Sequence, residues 1–132
     1  MNCYTLGVMQ GRLLPKYEGR YQAHPVGYWK DEFLIAKELK LDCIEFILDF
    51  NKYESNPLLT DNGLKEIQKI SSKTGIKINT ICADYFMEAP IHSSYKKIAN
   101  ASVKVLINLI KNSFQLGVTD IVIPCVDQSS LN

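Results

Sequence analysis

Apolar residues gather in four short runs, and the stretches between them follow a helical rhythm. Thr5–Met9, Cys43–Leu48, Lys77–Cys82 and Asp120–Pro124 are short and rich in β-branched or apolar residues, which predicts strands. The second run is apolar at nearly every position. That pattern predicts a strand covered on both faces, the habit of parallel sheets in α/β proteins. Glu45 sits in the middle of it, where a carboxylate is costly unless it is paired, hydrogen-bonded or open to a polar site. Asp49 follows four residues on, near the C-terminal end of the same run. In parallel α/β folds that end is where ligands bind.

The intervening segments predict helices. Trp29–Leu41 places Asp31 and Glu32 in its first turn, where they suit the dipole, and Phe33, Ala36 and Leu39 on an inner stripe. Leu64, Ile67 and Ile70 recur at helical spacing, and Gly75 fits the glycine that closes such a helix. Ser94–Leu116 is the clearest. Ile98, Ala101, Val105 and Leu109 form one apolar row, with Leu106 and Ile110 beside it. Lys97, Asn100, Lys104, Asn108 and Lys111 take the other face, and Gly117 closes the helix. Two loops are notable. Residues 16–28 are rich in Tyr and Gly, and a connection of that length is often functional or mobile; His24 within it is expected to be exposed. Residues 51–62 contain the turn signal Asn56-Pro57. After the third run come Ala83–Glu88 and a loop with Pro90 and His92.

The order is therefore strand, helix, strand, helix, strand, helix, strand, in a single domain over residues 1–132. Landmarks Val8, Phe46, Thr80 and Val122 lie 38, 34 and 42 residues apart, the rhythm of successive βα units with right-handed crossovers. A solenoid has a similar period, but no consensus repeats here. A doubly wound sheet competes, although no Gly-x-Gly-x-x-Gly follows the first strand.

Charge and cysteine usage narrow the function classes. The 132 residues carry a formal net charge of +1, which argues against a nucleic-acid protein held by charge alone. The lysines are scattered over predicted solvent faces. Cys3, Cys43, Cys82 and Cys125 lack C-x-x-C or zinc-finger spacing, so they are expected as buried free thiols and not as a metal site. There is no signal-peptide pattern, and no apolar run reaches the ~18–20 residues of a membrane span. The expectation is a cytoplasmic protein with no membrane and no nucleic-acid partner.

Five segments in order, mostly at strand ends, resemble the sugar-phosphate isomerase/epimerase family of xylose-isomerase-like TIM barrels. They are Leu6-Gly7-Val8-Met9-Gln10-Gly11-Arg12, Tyr28-Trp29-Lys30-Asp31-Glu32-Phe33, Leu41-Asp42-Cys43-Ile44-Glu45-Phe46-Ile47, Ile81-Cys82-Ala83-Asp84-Tyr85-Phe86 and Ile123-Pro124-Cys125-Val126-Asp127. The resemblance implies an α/β fold of parallel βα units, the first four strands of a barrel that needs ~250 residues when whole. It implies a ketose–aldose isomerase or an epimerase acting beside a carbonyl. It also implies a divalent metal (Mn, Mg, Co or Zn) held by Glu, Asp, His and Glu of the second half of such a barrel. No residue here matches those ligands, so this chain is expected to carry no metal and no catalytic pair, and to be silent alone.

What the resemblance leaves to this chain is the substrate-facing rim. Glu45 would hydrogen-bond sugar hydroxyls, or else serve as a structural acid. Asp84 and Tyr85 follow the third strand; Tyr85 suits packing equally well. Gln10 and Arg12 follow the first strand, and Arg suits planar recognition of carboxylate or phosphate. His92 and Asp127 complete the set, with surface histidine and turn cap as their plain readings. Trp29 begins a helix and is expected to pack on it. The partner is then a small sugar or sugar phosphate. A non-catalytic sugar- or phosphate-binding half-barrel is the alternative, and a DNA-repair nuclease of the AP-endonuclease type a third, disfavoured by the near-neutral charge. Four parallel strands leave two open edges and an uncovered inner face, so self-association is expected.

Overall fold

The computed structural model describes residues 4–132; Cys3 lies outside them. The chain runs β1 (Gly7–Met9), α1 (Trp29–Glu38), β2 (Cys43–Ile47), two 3-10 turns (Tyr53–Ser55 and Pro57–Leu59) and α2 (Asp61–Thr74). Then come β3 (Thr80–Cys82), α3 (Tyr85–Glu88), α4 (Lys96–Leu116), β4 (Asp120–Val122) and a last 3-10 turn, Asp127–Ser129. The four strands form one all-parallel sheet in the order β1-β2-β3-β4. Met9 pairs with Glu45, Ile47 with Cys82, and Thr80 with Asp120. The order never reverses, whereas a doubly wound sheet requires a reversal at its switch point.

Consecutive parallel strands joined by right-handed crossovers send every helix to the same side. Here α1 packs on α2 and α2 on α4. The core lies between them and the sheet. Ile44, Phe46 and Leu48 point into it from β2 and its end, and meet Phe33, Ile67, Ile81 and Leu109, all essentially inaccessible. The expectation that β2 is covered on both faces is corrected. On the opposite face Cys43 and Glu45 are only half-buried, Gly7 and Asp120 are exposed, and Val122 is 45% exposed. Among the described residues no second layer of helices covers that side, and the C-terminal end is closed over at Ile47 and Cys82.

Several element ends differ from the sequence reading for local reasons. Strand β1 begins only at Gly7: the Leu6 carbonyl still accepts Asp42 N–H at 2.8 Å, but the Leu6 N–H goes to the Asp42 carboxylate, also at 2.8 Å. Helix α1 stops at Glu38 because Lys40 adopts a left-handed φ of 59°, and Leu41 N–H then closes onto Ala36 at 2.9 Å. That is a Schellman-type stop built without glycine. Leu39 is consequently exposed, and Trp29 and Glu32 join Phe33 and Ala36 inside. Thr60 caps α2 through Gly63 N–H at 3.0 Å, and a side chain at Gly63 would strike the Pro57 backbone.

Helix α4 buries the expected face, but not all of it. Leu109 is buried and Val105 and Leu106 pack on the core, Ser102, Asn112 and Ser113 are buried beside them, and Ile98, Ala101 and Ile110 are exposed. The polar members of this face bond backbone carbonyls. Asn112 Nδ2 donates to Leu58 O at 2.8 Å and Ser102 Oγ to Ala89 O at 2.7 Å. Among the thiols, Cys82 is buried and Cys43 half-buried, but Cys125 is exposed, contrary to expectation. No helix among the described residues is long and apolar enough to cross a membrane.

Candidate functional site

The segments leaving β1, β2 and β3 meet at the C-terminal end of the sheet, and a buried carboxylate anchors the first of them. Glu32 is fully enclosed and accepts the N–H of Gly11 at 2.9 and 2.8 Å and of Leu13 at 3.1 Å. Burial raises its carboxyl pKa, and the backbone N–H groups of Gly11, Leu13 and Arg12 pull the other way. Gly11 takes φ +93° with its Cα against the Tyr21 carbonyl, a place that only glycine fits.

Beneath the loop lies a polar knot. Gln10 is inaccessible; its Oε1 accepts Ile47 N–H at 2.9 Å and stands 3.3 Å from His24 Nδ1. An amide oxygen only accepts, so the Nδ1 that faces it must donate, which the Nδ1–H tautomer of a neutral imidazole supplies. His24 was expected on the surface, yet it is 4% exposed between Trp29 and Phe46, with ring centroids at 6.2 and 5.3 Å. Burial lowers its pKa to about 4. Gln10 Nε2 is buried without a partner among the described residues.

Asp49 links this knot to the surface. It accepts His24 N–H at 2.9 Å, and the Arg20 guanidinium reaches its two oxygens at 3.1 and 3.4 Å. Arg20 arrives on a tight antiparallel turn, Tyr17 to Arg20. Outward of this pair opens a cleft of about 690 Å³ lined by Arg20, Gln22, Asp49, Phe50, Asn51, Asp84, Met87 and Glu88. Asp84 accepts from the Gln22 amide at 3.3 Å and the Cys82 thiol at 3.2 Å. Burial, reinforced by Asp84, pushes that thiol up to about 12, so it stays a donor.

Of the residues singled out from sequence, Asp84 lines this cleft. Gln10 lies buried under it as a structural acceptor. Tyr85 is 3% exposed and packs its ring on Phe50, Tyr53 and Phe86. Glu45 lies on the open sheet face away from the helices, where Thr80 Oγ1 donates to it at 2.7 Å, in a hollow of about 290 Å³ with Met9 and Cys43. Arg12, His92 and Asp127 are exposed and outside the cleft lining; Asp127 takes φ 52° at the start of the last turn. The structure adds Arg20, Gln22, Asn51, Phe50 and Glu88. Of the cleft lining, Asp84 was named as a rim residue from the sequence, and Asp49 stood out there by its place at the end of an apolar strand.

A divalent metal needs several free oxygen, nitrogen or sulfur ligands converging on one point. Asp49 is already balanced by the Arg20 cation and also holds the His24 N–H, and Asp84, met by Gln22 and Cys82, keeps acceptor sites for single hydrogen bonds. Among the described residues no three His, Cys, Asp or Glu side chains converge as a metal site, so the residues present do not fit such an ion. The lining does fit hydroxyl groups. Carboxylates accept from them, amides both give and accept, and the Phe50 ring offers an apolar wall. No protein-family model matches this chain, and no curated protein matches it.

Proposed function

We propose that this chain forms the first four βα units of a TIM barrel of the sugar-phosphate isomerase/epimerase type and binds a sugar at the C-terminal end of its strands. The observation that carries this reading is the 690 Å³ cleft, with Asp49, Asn51, Asp84 and Glu88 converging where β2 and β3 end. In parallel α/β sheets that end carries the ligand. Strand order without reversal and helices on one side are the geometry of successive barrel units. In a whole barrel a carboxylate would take the C–H proton beside the carbonyl. Returning it to the former carbonyl carbon, with the hydroxyl proton passing between the two oxygens, exchanges ketose and aldose. Returning a proton to the opposite face of the same carbon inverts that centre. This chain's own part is to bind and orient hydroxyls. Glu45, on the inner face, would point toward the axis of the closed barrel.

Titration of the chain with neutral aldoses and ketoses, followed by NMR shifts, tests this. Saturable shifts at Asn51, Asp84 and Glu88 are expected, with no ketose–aldose exchange by the chain alone. Asp84→Asn should weaken binding about tenfold, the scale of one charge-assisted hydrogen bond. Sugar binding that ignores both Asp84→Asn and Asn51→Ala would place the ligand elsewhere and overturn the assignment.

A further inference from the structure

We infer that the cleft selects an uncharged sugar over its phosphate ester; this rests on the cleft being a sugar site. The lining holds three carboxylates, Asp49, Asp84 and Glu88, against one guanidinium, Arg20. That guanidinium is already paired. Its Nη1 and Nη2 lie 3.1 and 3.4 Å from the two oxygens of Asp49. A two-pronged contact of this kind is how arginine holds a phosphate, and Asp49 occupies the Nη1–Nη2 end of the fork and neutralises its charge. Asp49 is 6% exposed and tied to His24 N–H as well. A phosphate that took Arg20 away would strand a buried carboxylate without its cation, which is costly.

The other two acids have no cation to balance them. Asp84 is met by a thiol and an amide, and Glu88 by the Gln128 amide at 2.9 Å, all neutral donors. Neither takes part in a salt bridge among the described residues. Lys97 lines the adjoining groove, beyond Phe50 and Glu88, and not the cleft. A phosphate dianion entering here meets uncompensated like charge. A neutral sugar meets acceptors for its hydroxyls, two amides that donate as well as accept, and the 41%-exposed Phe50 ring for its apolar face.

Isothermal titration of the full chain with fructose and with fructose 6-phosphate decides the matter. At low salt the ester should bind at least about tenfold more weakly. The gap should shrink as salt rises, because screening lengths fall from about 10 Å at 0.1 M to about 3 Å at 1 M. Asp84→Asn should narrow the gap at low salt. Equal or tighter binding of the ester overturns the selectivity while leaving the sugar site standing. Binding of neither overturns the selectivity together with the site.

Discussion

His24 is neutral because its ring is wedged between Trp29 and Phe46 and its Nδ1–H is given to Gln10. Its pKa falls from 6.5 to about 4 on folding. Between those values the unfolded chain binds a proton that the folded chain refuses. The stability His24 contributes is therefore complete above pH 6.5 and is lost as pH drops through the window, by up to about 3 kcal/mol. Glu32 acts in the opposite sense. Its folded pKa is raised, so its contribution is present at low pH and declines as pH rises above its unfolded value. Urea midpoints at pH 7 and pH 5 for wild type and His24→Phe separate the two. The wild type should lose stability on acidification and the variant should lose distinctly less; equal losses would show that the imidazole is not the source. At this scale the sequence is least informative. Arg20, Gln22 and His24 sit in a Tyr- and Gly-rich loop with no periodicity, and nothing local says that two will face a cleft and one will be buried. Asp49 was legible because it terminates an apolar strand, and its environment, not its type, makes it the hub.

At the level of elements, the alternation of strands and helices is written in the apolar runs, since burial on a pleat and on a helix impose different periods. The full membership of a helix face is not written so plainly. α4 carries apolar residues around much more than one face, and its buried side also takes Asn112 and Ser102, which satisfy the carbonyls of Leu58 and Ala89. A reading that counts only hydrophobic residues finds Val105, Leu106 and Leu109 and misses these polar members. The physical stake can be measured. Asn112→Ala leaves the Leu58 carbonyl buried without its donor, and should destabilise the chain by about 1–3 kcal/mol. Ile110→Ala, on the exposed side at 52%, should change stability by only about 0.5 kcal/mol. Chemical denaturation of both variants decides it; a larger loss for Ile110→Ala would show that Ile110 belongs to the buried face after all.

The whole molecule leaves two sheet edges, one sheet face and one stripe of α4 without a covering layer among the described residues. β1 and β4 are the edges, each with one side of its backbone unpaired there. The sheet face away from the helices is open around Cys43, Glu45 and Thr80. On α4, Val103, Ile107, Ile110 and Phe114 are 39%, 61%, 52% and 85% exposed, and their spacing of four, three and four residues sets them in one stripe. The stripe is set apart from the Asn108 and Asn112 flank, which hydrogen-bonds the turn leading into α2. Open edges template further strand pairing, and a continuous apolar stripe gains by leaving water. We therefore expect the isolated chain to associate with itself at tens of micromolar. Light scattering behind a size-exclusion column should show mass above the 15.0 kDa of one chain. Ile107→Lys with Phe114→Lys should lower it by placing two charges in the stripe, without disturbing the buried residues Ser102, Leu109 and Asn112. If the stripe drives association, the double variant approaches a monomer; if the strand edges drive it, the variant keeps the wild-type mass. A monodisperse 15.0 kDa wild type that binds no hydrophobic dye would mean that these surfaces are stable in water, and the expectation of self-association would be wrong.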